Sequence, residues 1–111
     1  MEMPVILGMI GAAILAGAIV YIAVRLTMSF IKGYRKRKTS KVLGATVKDL
    51  INNGNFPHHA LDDLDDDDIV LAEYDPEKDE LVQDIGISKE DNNDKKVEDF
   101  FKANGGIVIF E

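Results

Sequence analysis

The residues best equipped for chemistry lie in one stretch, His58-His59-Ala60-Leu61-Asp62-Asp63-Leu64-Asp65-Asp66-Asp67-Asp68, where two imidazoles precede six carboxylates. A hard cation such as calcium takes about six to eight oxygen ligands, and a carboxylate run can supply several. This run lacks the alternating ligands, central glycine and closing bidentate glutamate of a calcium-binding loop. Adjacent His58 and His59 cannot readily aim both rings at one zinc ion. Asp62, Asp63, Asp65, Asp66, Asp67 and Asp68 are therefore expected to form a solvated acidic segment that caps the element after it, with calcium or magnesium binding as the weaker alternative.

Other catalytic signatures are missing. Ser40 and Ser88 have no G-x-S-x-G context, and the chain contains neither a P-loop nor G-x-G-x-x-G. The absence of cysteine excludes disulfides, thiolate metal ligands and a thiol nucleophile. The carboxylates are many, but nothing in the sequence sets two of them apart as an acid and a base. The expectation is a protein that is not an enzyme and uses no cofactor.

Charge divides the chain. Residues 1–40 hold six basic side chains against Glu2, a net +5, whereas residues 41–111 hold seven lysines against nineteen carboxylates, a net −12. A region so acidic repels phosphate backbones, so nucleic acid is not an expected partner of the C-terminal part; cations and basic protein surfaces are.

The elements that must position these groups follow from hydropathy. Met3 to Val24 is 22 residues without a charge, which as a helix at ~1.5 Å per residue would span ~33 Å, the thickness of a hydrocarbon core. A transmembrane helix is expected over residues 1–31, followed by a basic juxtamembrane segment at 32–40 and an acidic α+β domain at 41–111. Arg25, Lys32, Arg35, Lys36, Arg37 and Lys38 would mark the membrane surface and hold that end in the cytoplasm, with the N-terminus outside. Gly8, Gly11, Ala12, Ala13, Ala16 and Gly17 have spacings that let membrane helices pack closely, including self-association.

Beyond residue 40, Val42, Leu43, Val47, Leu50 and Ile51 recur at helical spacing up to Asn52-Asn53-Gly54. Ile69 to Tyr74 and Leu81 to Ile87 read as a hairpin around Asp75-Pro76-Glu77-Lys78. Lys95 to Ala103 reads as a helix stopped by Asn104-Gly105-Gly106, and Ile107, Val108, Ile109 and Phe110 read as a strand that needs a neighbour. The expected fold class is thus a single-pass transmembrane helix followed by a small α+β domain of helix, β-hairpin, helix and C-terminal strand.

The functional expectation is a membrane-anchored structural or adaptor subunit of a larger assembly. It would dock a protein with a basic surface or a sheet edge through the acidic run and the strand Ile107 to Phe110. One alternative setting is the membrane-to-capsid layer of a virus with an internal bilayer, with the acidic domain facing the capsid. An alternative class is a cation- or lipid-responsive regulator, in which the acidic run folds back on Arg35 to Lys38.

Overall fold

The uncharged run divides at Gly17 in the computed structural model, which describes residues 3–54 and 63–110, with side chains from residue 5 onward. Helix α1 covers Met3–Leu15 and strand β1 covers Ile19–Tyr21. Between them Ala18 N–H donates to Ala13 O at 2.9 Å, Gly17 N–H donates to Ile14 O at 3.0 Å, and Gly17 sits at φ 79°. This pair of bonds is a Schellman stop, which requires a left-handed residue, and glycine takes that conformation without a Cβ penalty.

The thirteen residues of α1 reach only about 20 Å at ~1.5 Å per residue, short of a ~30 Å hydrocarbon core. Among the described residues, no helix is long and apolar enough to cross a membrane. The expected transmembrane helix is corrected accordingly, and with it the single-pass location, the orientation and the membrane-anchored fold class. An all-round apolar helix points to lipid when the remainder of the chain is too small to cover it. The fold solves this differently. Ile6, Leu7, Ile10 and Ile14 are buried in the core, while the exposed positions Gly8 and Ala12 carry almost no side chain, so little apolar area faces water beside Val5 and Leu15.

The remaining elements are helix α2 (Met28–Lys32), strand β2 (Lys41–Thr46), helix α3 (Val47–Gly54), strands β3 (Ile69–Asp75), β4 (Glu80–Leu81) and β5 (Ile85–Ser88), a 3-10 turn at Glu90–Asn92, helix α4 (Lys95–Ala103) and strand β6 (Ile107–Phe110). They build a mixed sheet in the order β1-β5-β3-β2-β6, with β4 also on β3. Among the described strands only β1 and β5 run parallel; β5 with β3, β3 with β2 and β2 with β6 are antiparallel.

Side-chain alternation sends Leu43, Ala45, Val70, Ala72, Ile85 and Ile87 into a core shared with α1 and α3. Val42, Ile69 and Leu71 enter a second core with Leu26, Ile31, Val97 and Phe101, shared with α2 and α4. Central β3 is buried along its whole length because helices cover both faces, which is why it reads as an apolar run with only Glu73 and Asp75 as charged members. Segments expected to be separate, membrane helix and acidic domain, thus share one sheet.

The expected helix over residues 42–51 is half strand. Lys41 to Thr46 pairs on both sides, with β3 and β6, and the helix starts only at Val47. Thr46 is the pivot: Asp49 N–H donates to its Oγ1 at 3.2 Å, and its hydroxyl donates to Asp49 Oδ2 at 2.5 Å, a reciprocal cap of the first turn. Gly44 makes the strand fit, because a Cβ there would lie 2.7 Å from Phe101 Cζ.

Candidate docking edge

The basic cluster is held by the two acids of β3. Alternation puts Glu73 and Asp75 on the α2/α4 face. Both are buried. Glu73 Oε1 accepts Lys36 N–H at 2.9 Å and Gln83 Nε2 at 2.8 Å, and Oε2 accepts Arg37 N–H at 3.0 Å. Gln83 also donates to Tyr34 O at 2.9 Å. Burial acts on Glu73 most strongly and would raise its pKa, but the Lys36 and Arg37 N–H groups, with the Ser40 and Gln83 side chains, outweigh it and hold the carboxyl below its ordinary value. The Ser40 hydroxyl lies buried and outside strict hydrogen-bond geometry, so the N–H groups and the Gln83 amide carry most of that effect.

Asp75 Oδ1 accepts Glu77 N–H at 2.9 Å and Lys78 N–H at 3.3 Å, and its Oδ2 meets Arg37 Nη1 at 2.9 Å. Arg35 Nη1 donates to Ser40 O at 2.9 Å, while Arg25, Lys32, Lys36 and Lys38 are exposed. The membrane-surface role expected of these residues falls with the membrane helix. The membrane-helix packing expected of the small residues loses its membrane helix in the same way: Gly11 is buried, Ala13 half-buried, and Gly8, Ala12, Ala16 and Gly17 are exposed.

The acidic run does structural work at its end. Asp68 is buried; its Oδ2 accepts Asp65 N–H at 2.9 Å and meets Lys89 Nζ at 2.7 Å, and its Oδ1 accepts Glu90 N–H at 2.8 Å. The carbonyls of Asp68 and Asp66 accept Val47 and Lys48 N–H at 2.9 and 3.1 Å, satisfying two donors of the first turn of α3. Asp63, Asp65, Asp66 and Asp67 are exposed. His58, His59 and Asp62 lie outside the described residues. Among those described, no group of three or more His, Asp or Glu side chains is arranged to hold a metal ion.

The expected strand Ile107 to Phe110 is β6, at one end of the sheet order. Its register with β2 tells which backbone groups are free. Thr46 N–H donates to Gly106 O at 3.0 Å, and hydrogen-bonded pairs alternate in an antiparallel ladder. Gly44 with Val108 and Val42 with Phe110 are therefore bonded pairs, while the N–H and C=O groups of Ile107 and Ile109 point away from β2. Among the described residues no strand pairs with that outer side.

Beside this edge, on the α2/α4 face, lies an open groove of about 490 Å³ lined by Val42, Val108, Ile109, Phe100 and Phe110, with Lys32 and Arg35. Phe100 and Phe110 stack at 5.8 Å between ring centroids and 29° between planes. All four β6 side chains are half-buried, so the strand is neither sealed in nor displayed like a loop.

Phe100, Lys32 and Arg35 were not legible as neighbours of β6. Phe100 reads in the sequence as part of one helical face with Val97 and Phe101, a spacing that carries no sign of a neighbour in β6. The opposite edge strand, β1, exposes Val20 and Tyr21; it came from a segment read as membrane helix, so sequence reasoning missed it. No protein-family model, curated protein or solved structure matches this chain.

Proposed function

We propose that this chain is a non-enzymatic docking module that receives an extended segment of a partner protein along the open side of β6. The observation that supports this reading is the outward-facing N–H and C=O groups of Ile107 and Ile109 on a four-residue apolar strand. Unpaired edge groups are a template for strand addition, and natural folds usually blunt them with charges, proline or a bulge. β6 carries none of these devices between residues 107 and 110. The acidic run contributes less to this reading because its last member, Asp68, is used inside the fold.

Photo-crosslinking tests the reading. A benzophenone side chain placed at Phe110 in the full chain, expressed in its native cells, is expected to couple to another protein, and Ile109→Pro is expected to abolish the adduct by removing an outward N–H. The same probe at exposed Lys78 should give no such adduct. Absence of any adduct at Phe110, or an adduct indifferent to the proline, overturns the reading.

A further inference from the structure

We infer that the segment received by β6 is acidic on the side facing α2 and α4: an extended stretch in which Asp or Glu alternates with β-forming apolar residues. This rests on the docking reading above and specifies its occupant. Among the described residues, the groove beside β6 is lined by two cations and no carboxylate, in a chain whose net charge is −7. By contrast, the groove around Gly106 is lined by four carboxylates against two lysines. At physiological ionic strength charges beyond ~8 Å are largely screened, so Lys32 and Arg35 set the local preference, and the net charge of the chain does not.

Register fixes where the carboxylates must stand. An added strand bonds to Ile107 and Ile109, and its side chains alternate between the two faces of the sheet. Those flanking Val108 and Phe110 fall on the face with Val42 and Phe100, where Lys32 and Arg35 border the groove. Lys32 is exposed and has no carboxylate partner among the described residues. Arg35 uses one Nη1 bond on Ser40 O, and a guanidinium has further N–H donors for a carboxylate. The apolar residues of the segment would fall on the opposite face, alongside Ile107 and Ile109. A second copy of this chain fits less well, because its residues 107–110 are Ile-Val-Ile-Phe, with Glu111 directly after them as a single acid in place of an alternating series.

Fluorescence anisotropy on the full chain tests this with two labelled peptides, acetyl-Thr-Asp-Val-Asp-Val-Asp-Val-Thr-amide and its counterpart with lysine for each aspartate. The aspartate peptide is expected to bind at least tenfold more tightly. Lys32→Glu, at an exposed position, should remove most of that preference with an unchanged melting temperature. A version of the aspartate peptide N-methylated at alternate residues, which cannot complete the ladder, should lose binding to the unaltered protein. Equal affinity for the two peptides, or preference for lysine, overturns the acidic occupant; if N-methylation still abolishes that binding, the docking edge stands without it. Binding that survives N-methylation overturns both. No binding by either peptide overturns the acidic occupant, and the Phe110 crosslink then judges the edge separately.

Discussion

The carboxylate of Glu73, on the central strand, takes the backbone N–H of Arg37 at 3.0 Å while its other oxygen takes that of Lys36 at 2.9 Å. The acid therefore closes the loop between α2 and β2 as a side-chain cap would close a helix, and the cations of that loop are positioned by their backbone. Glu73→Gln keeps the shape but exchanges one acceptor oxygen for a donor facing an N–H. A cost of about 1–3 kcal/mol is expected, the usual penalty for a buried group left unsatisfied, measured by urea unfolding. The pH dependence has a definite sign. Because the folded pKa is depressed, the stabilisation is complete above the ordinary value of 4.5 and is lost as pH falls through the folded value. The gap between the native protein and Glu73→Gln should narrow below pH 4.5.

Gly106 predicts a second outcome. Its φ is 84°, and a Cβ there would strike the carboxylate and Cβ of Asp49, the residue that completes the cap of α3. Gly106→Ala should cost about 1–3 kcal/mol from backbone conformation alone, plus the loss of the Thr46–Asp49 cap. Neighbouring Gly105 also has a positive φ, 82°, but no atom lies near its would-be Cβ. Gly105→Ala should cost only the conformational part, so thermal melts of the two variants separate strain from collision.

Glu90 is placed against its own kind. Asp67 first, then burial, then Asp91, Glu98 and Asp65 raise its pKa. A carboxyl whose folded pKa is raised opposes folding when ionised, fully above the folded value and not at all below the unfolded one. Glu90→Gln keeps the backbone N–H that Asp68 accepts and removes the repulsion. Its melting temperature should exceed that of the native protein at pH 7, and the two should converge below pH 4.5; a lower melting temperature at pH 7 would contradict this electrostatic account.

The part of the fold legible in sequence was the part whose patterns are local. The Val97, Phe100 and Phe101 spacing with a glycine stop located α4, and Asp75-Pro76 located the turn after β3. Lys41 to Thr46 was misread because its apolar residues satisfy helical spacing, whereas burial on both faces and the closeness of Phe101 to Gly44 are tertiary facts. The docking edge was half legible. Ile107 to Phe110 stood out as a strand needing a neighbour, but Lys32 and Arg35 come beside it only through the packing of α2 over β2, more than seventy residues away in sequence. Glu73 left a fainter trace, as an acid inside a run of β formers.

The largest misreading, of α1, yields the most discriminating pair of substitutions. Gly8 lies inside the helix, is exposed, and has nothing within 4 Å of its would-be Cβ. Alanine there should stabilise the protein by roughly 0.5–1 kcal/mol, because glycine loses more backbone freedom on folding. Ile10, by contrast, is fully buried among the side chains of the sheet and α3, and Ile10→Ala should cost about 2–5 kcal/mol through lost burial and the cavity left behind. A close-packed membrane helix would give the opposite ranking, with Gly8 intolerant of a methyl group and Ile10 facing lipid at little cost. Chemical denaturation of the two variants in detergent-free buffer therefore tests the corrected fold directly: a stabilised Gly8→Ala beside a crippled Ile10→Ala is the signature of a helix that spends its apolar face on a sheet.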